Sequence, residues 1–221
     1  GASATALNLN LTGAGSTILS GNNTYTGTTT VNAGASLAIN GNHTLGGLTT
    51  VAANAVLSGS GSLGAANVTG VLDPGNSIES LATGNLAMLA GSTLAYELQD
   101  TSATGADLVA ITGDLNLTGT VSLELTKLGI GGWSIGDRLT LISYTGAWNN
   151  GLFSIEGNLV TDDSSFGYDG AVWEFNYKDT LKGDNFASEA SGTYVTMTVI
   201  PEPSTALLGG IGLLALLRRR R

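Results

Sequence analysis

The sequence predicts an all-β protein made of a short stack of coiled strands, an aromatic-rich β-region and one apolar C-terminal helix. Three observations predict it. A motif recurs every 20 residues in the first third of the chain. The composition favours turns and strands, with 33 glycines, many Thr, Asn and Ser, and only 11% charged residues. The last 21 residues change character, to an uncharged run closed by four arginines.

The repeat comes first. Gly21-Asn22, Gly41-Asn42 and Gly61-Ser62 share the 20-residue spacing. Thr29-Thr30-Val31 returns as Thr49-Thr50-Val51, and Leu37 returns as Leu57. Tyr25 maps onto Leu45, then Ala65. In the third copy Val71 follows Val51, while Ser77 takes the Leu position. A period of this length means units that cannot bury an apolar face alone and so must stack. Leu37 and Ile39 flank Ala38, so alternate residues share one strand face. Two or three short strands with their turns fit in one coil. Stacking then predicts one interior column of Val31, Val51 and Val71, with Gly and Asn at the corners.

Later segments keep the style and lose the strict period. Gly-bounded runs ending in Ala95-Tyr96-Glu97-Leu98, in Asp114-Leu115-Asn116-Leu117 and in Val121-Ser122-Leu123-Glu124-Leu125 read as half-exposed strands. The composition shifts near Gly129, because of the aromatic residues only Tyr25 and Tyr96 precede Trp133. Residues 137–144 read as a turn plus a strand, and 171–177 and 192–200 as two more. Their aromatic side chains are expected to close the open end of the stack, where bare strand edges invite aggregation. A two-sheet antiparallel sandwich is the alternative architecture.

Gly21-Asn22-Asn23-Thr24-Tyr25-Thr26-Gly27, with Thr29-Thr30-Val31-Asn32-Ala33-Gly34, resembles the autotransporter-associated β-strand repeat. That resemblance implies a right-handed parallel β-helix, extending to about Leu125. Residues 107–144 look like the strands that follow such repeats in passenger domains. Autotransporters end in a membrane β-barrel of roughly 250 residues or more. The 221 residues here hold no such barrel, so a different export route is expected. The sequence opens at Gly1 without a signal peptide, so an export signal is expected to have preceded it.

The tail is the most specific feature. Pro201 and Pro203 keep Ile200 and Glu202 extended, as a protease requires of its substrate. Residues 204–217 carry no charge, and Leu207, Leu208, Ile211, Leu213, Leu214, Leu216 and Leu217 supply the apolar bulk. Arg218, Arg219, Arg220 and Arg221 are cytoplasmic anchors under the positive-inside rule, so the preceding domain lies outside. As a helix this run reaches about 21 Å against a bilayer core of about 30 Å, a marginal anchor that suits a processed signal. The order of PEP, short apolar run and arginine cluster resembles the PEP-CTERM sorting signal. The resemblance implies recognition of Pro201, Glu202 and Pro203 by an exosortase, a membrane-embedded cysteine protease. It also implies transient residence in the inner membrane, then cleavage near the motif and release or transfer to the surface of a Gram-negative, exopolysaccharide-making bacterium. The expected divisions are a repeat region over 1–128 (clearest over 21–78), a β-rich cap over 129–200 and a sorting tail over 201–221.

Charge and motif content narrow the chemistry. Residues 1–200 carry 16 acids against four bases, which repels nucleic acid. With no cysteine there is no disulfide, thiolate metal site or cysteine nucleophile. Gly59-Ser60-Gly61-Ser62-Leu63-Gly64 matches GxGxxG, yet no βαβ pattern surrounds it, so chance explains it. His43, the lone histidine, reads as a solvated turn residue. Asp100, Asp107 and Asp114, with Glu97 and Glu124, are the candidates for carboxylate chemistry on a β-helix face, though they read as turn acids. Asp162, Asp163, Asp169 and Glu174 approach a calcium loop, with Gly167 out of place and Ser165 where Asp or Asn is usual. Trp133, Trp148, Trp173 and Tyr168 are candidate sugar-stacking rings. No cofactor, metal site or catalytic set is expected. The reading is a non-catalytic, exported surface or matrix protein associated with exopolysaccharide. A glycan-binding adhesin and a polysaccharide-degrading enzyme are the alternatives.

Overall fold

The structure, a computed structural model, describes residues 6–186 and 192–202. Among them every regular element is a strand. The strands wind coil by coil. The first coil contributes β1 (Leu9–Leu11) and β2 (Gly15–Leu19). Three strands per coil follow: β3 (Thr29–Val31), β4 (Ala35–Ile39) and β5 (Asn42–His43); β6 (Thr49–Val51), β7 (Val56–Gly59) and β8 (Ser62–Leu63). Next come β9 (Ala66–Val68), β10 (Val71–Pro74) and β11 (Ser80–Thr83); β12 (Leu86–Met88), β13 (Thr93–Leu98) and β14 (Leu108–Ile111); and β15 (Leu115–Leu117), β16 (Val121–Lys127) and β17 (Arg138–Tyr144). Equivalent strands pair in parallel and build three faces, a β-helix-like arrangement. The first face runs β1-β3-β6-β9-β12-β15, the second β2-β4-β7-β10-β13-β16, and the third β5-β8-β11-β14-β17.

The chain closes with β18 (Phe153–Ile155), β19 (Asn158–Val160), β20 (Ser164–Tyr168), β21 (Ala171–Asp179) and β22 (Thr193–Ile200). Parallel pairing continues past Leu125, where the sequence places its end. β14 pairs in parallel with β17, β16 with β18, and Leu115 bridges Trp148 in parallel. The last two contacts form a partial seventh coil. Pairing then turns antiparallel: β19 folds back on β18, and β22, β21 and β20 extend the third face.

Within the coils, alternation assigns the interior. On the first face Val31, Val51, Val68, Met88 and Leu117 form an inward row. The third valine of this column is therefore Val68, not Val71. Val71 lies half-buried on the second face, beside Val56 and Thr93. The third repeat is shorter, so strict counting overshoots. Likewise Leu72, not Ser77, follows Leu37 and Leu57 in the inward row of the second face. The glycine corners hold their spacing: a Cβ on Gly61 would lie 2.2 Å from the Gly41 carbonyl oxygen, and one on Gly41 2.3 Å from that of Gly21. Only glycine permits this stacking distance.

His43 differs from its expected place. It is fully buried, because β5 turns it inward above Leu63 at the head of an interior row. Tyr25 covers its ring at 4.3 Å, and Gly46 leaves no room for a Cβ beside it. Burial lowers its pKa.

The aromatic residues close the far end, as the composition predicts. Tyr177 on β21 stacks on Trp148 at 4.6 Å and on Phe153 at 6.1 Å. Its hydroxyl accepts from the Phe153 amide at 2.7 Å and donates to the Val160 carbonyl at 2.9 Å. Phe175 and Trp173 lie buried on the same strand. Asn185 locks cap to coil at the β-bulge of β17. It bonds both the amide and the carbonyl of Thr140, at 2.7 and 2.9 Å, and donates to the Tyr96 hydroxyl at 3.3 Å.

Candidate functional site

The tail junction is where sequence signal and geometry meet. β22 is held between β17 and β21, and its last residue, Ile200, pairs with Val172. Pro201 and Glu202 follow at once, both exposed. The loop over 128–136 lies beside them, tied down by Gly136 N–H to the Val199 carbonyl at 2.9 Å and by Val199 N–H to the Asp137 carbonyl at 2.8 Å. A cleft of about 200 Å³ is lined by Trp133, Ile135, Val172, Ile200, Pro201 and Glu202. The expected recognition motif, Pro201 to Pro203, therefore starts directly at the edge of the folded domain.

The other expected tail residues lie outside the described residues. These are Pro203, the apolar set Leu207, Leu208, Ile211, Leu213, Leu214, Leu216 and Leu217, and the cluster Arg218, Arg219, Arg220 and Arg221. Among the described residues no helix is long and apolar enough to cross a membrane.

Residues 199–221 match the PEP-CTERM protein-sorting motif. Residues 9–39 match the passenger-associated-transport-repeat. The chain thus carries both elements that its sequence resembles, and the sorting motif implies an exported protein handled by an exosortase. The repeat match covers β1 to β4, the opening coils of the stack. No individual curated protein matches the chain.

The candidate acids serve the backbone. Asp107 is fully buried before β14 and uses both oxygens, accepting from Glu97 N–H at 2.8 Å and Glu79 N–H at 3.1 Å. It staples one coil to the next. Burial pushes its pKa up to about 7, with Glu97 and Asp73 adding repulsion against the two amides that favour the charged form. Asp73 is raised by burial and then by Glu97. Asp114 accepts from Ala147 N–H at 2.7 Å. Asp100 forms a turn with Ser102 N–H at 2.8 Å, and that hydrogen bonding lowers its pKa. Glu124 stands exposed on the outer side of β16.

Of the calcium-loop candidates, Asp162, Asp163 and Asp169 are turn residues with protein partners, and Glu174 lies on β21. Asp163 and Asp169 adopt φ of 58° and 48°. Asp162 accepts from Tyr177 N–H, and Asp163 from Asn176. Asp169 accepts from Lys127 and Trp133, and the Lys127 contact holds its pKa low. Glu174 pairs with Ser165 across β20 and β21. Among the described residues no group of three or more His, Asp or Glu side chains is placed to hold a metal ion.

The candidate sugar-stacking rings lie on one aromatic cluster and differ in exposure. Trp173 is fully buried; Trp133, Trp148 and Tyr168 are half-buried and packed on the same cluster. Trp133 meets Trp173 edge-on at 5.0 Å. The GxGxxG segment runs from β7 into β8, and its glycines pack on the coil beneath, Gly59 against Ile39 and Gly61 against Gly41. A phosphate has no helix terminus there to bind.

Sequence reasoning missed the loop clamp of Lys127 with Gly131, Asp169 and Trp133. Ile130 and Ile135, placed among glycines where a turn normally exposes polar groups, were the available signal.

Proposed function

We propose that this is a non-catalytic structural protein of the cell surface or extracellular matrix, delivered by an exosortase and retained with exopolysaccharide. Its divisions are those expected from the sequence: a right-handed β-helix stack, an aromatic cap and a transient inner-membrane anchor over 204–217. One observation carries the reading. A closed, capped domain ends at Ile200, and the sorting motif begins exposed at the next residue. Cutting there releases the whole domain intact.

The non-catalytic part is supported by the candidate acids, of which Asp100, Asp107 and Asp114 are engaged with backbone amides. Retention with exopolysaccharide is supported by the outward row of the first face, mostly Thr and Asn, where Asn10, Thr30, Thr50, Asn67, Ala87 and Asn116 align, Asn10 and Thr50 exposed and the rest half-buried. Replacing Pro201-Glu202-Pro203 with alanines in a host that carries the exosortase tests delivery. Precursor mass retained and surface display lost are expected. Unchanged processing would refute the sorting role.

A further inference from the structure

The loop over 128–136 is the most apolar exposed segment near the tail. Ile130 is 107% exposed relative to a reference chain, Ile135 71% and Leu128 47%. Three large apolar side chains within eight positions are more than the scattered exposure normal for a soluble surface. The loop is also braced. Lys127 reaches the Gly131 carbonyl and Asp169, and lies 4.6 Å over the Trp133 ring. Trp133 N–H donates to the same carboxylate at 2.8 Å. The brace holds Ile130 and Ile135 out instead of letting them fold onto the core.

The tether fixes what this loop meets. Only residues 201–203 separate β22 from the uncharged run that starts at Ser204. Three extended residues reach at most about 10 Å. The headgroup layer on one side of a bilayer is about 5–8 Å thick. A 14-residue run is also too short for the hydrocarbon core, so mismatch draws the domain toward the membrane. The loop is bonded to Val199, on the same edge as the exit.

We propose that loop 128–136 is a second membrane contact. Ile130, Ile135 and Leu128 dip into the interfacial layer of the outward-facing leaflet while the tail is inserted, with Trp133 at headgroup level as interfacial tryptophans are. The uncut precursor is then held by two apolar elements, and its domain cannot pivot freely about the PEP segment. This proposal rests on the membrane stage of the sorting reading.

The absence of cysteine makes the test clean. Full-length chain carrying Gly132→Cys is labelled with a fluorophore and reconstituted in phosphatidylethanolamine–phosphatidylglycerol vesicles containing headgroup-quencher lipid. Gly132 suits the label because a Cβ there meets nothing within 4 Å. Ser16→Cys, exposed on the first coil, reports the far end, and Ala206→Cys reports the tail. Quenching at 206, several-fold stronger quenching at 132 than at 16, and loss of the signal at 132 when Ile130→Ser and Ile135→Ser are added would support the contact. Quenching at 206 with none above background at 132 overturns it and leaves the sorting tail standing. Undiminished quenching at 132 in the serine variant means proximity without insertion, and also overturns it. No quenching at 206 removes the tail reading and this proposal together. Shielding of 132 only when exosortase is present assigns the loop to the protease instead of to lipid.

Discussion

The coil stack from β1 to β17 and the cap from β18 to β22 solve the same problem in opposite ways. The stack buries small and medium side chains in rows, each strand meeting its equivalent one coil away. The cap buries Trp173, Phe175 and Tyr177 on one strand and ties distant segments together through the Tyr177 hydroxyl, Tyr144 and Asn185. A stack can be extended by repetition. An end must be made once, by large rings that cover three faces and protect their exposed edges.

The largest effect is expected from Trp173→Ala. A fully buried ring is lost, and Tyr168 loses the indole hydrogen bond at 3.2 Å. The cost is about 3–5 kcal/mol by urea unfolding. Amide exchange should rise across β17 to β22, and the opened end should promote self-association. Leu57→Ala is next, at about 2–5 kcal/mol. Here exchange should rise only in the coils over 29–83, since each coil touches its neighbours. Equal spreading of the damage in both variants would erase the distinction between stack and end.

Asn185→Ala probes the joint. It strips the buried Thr140 amide of its side-chain acceptor, leaves the Thr140 carbonyl only the Tyr96 hydroxyl as side-chain donor, and removes a donor to Tyr96. About 1–3 kcal/mol is expected for such orphaned groups, with exchange rising on both sides of the joint. A loss confined to one side would mean that cap and stack are not coupled there.

Legibility follows the same division. The column of Val31 and Val51 and the glycine corners are readable because parallel stacking copies local sequence from coil to coil. The third member is misread because β9 and β10 come early, and spacing alone does not reveal a shortened coil. His43 is misread because its direction depends on strand parity in a two-residue strand. The strands over 138–144 and 193–200 are readable from alternation, but their antiparallel pairing with each other is not, since the partners lie far apart along the chain. Asp107 looks like any turn acid, and only the coil below shows that both its oxygens are used. The sorting motif is legible in full, being a linear signal that a protease reads from extended chain.

The smallest expected effect is a pH dependence in which two coil residues oppose each other. Asp107 has its folded pKa raised to about 7 from 3.8, so between those values the folded state holds more protons than the unfolded one. Its contribution is complete below 3.8 and fades as pH rises through about 7. Asp73 has the same sign. His43 has its folded pKa lowered from 6.5, so the unfolded state holds more protons, and its contribution is present above 6.5 and lost as pH falls. Below about pH 6.5 the two slopes oppose each other in the wild-type chain, which flattens the pH dependence of its urea midpoint. Asp107→Asn should remove the main slope that opposes the histidine, shifting the profile toward weakening on acidification below 6.5, with Asp73 alone opposing it. His43→Leu, which suits the inward row above Leu63, should expose the opposite slope and strengthen on acidification. A midpoint with the same pH profile in both variants would show that neither group titrates differently on folding, and would leave Asp107 as a staple whose charge does not matter.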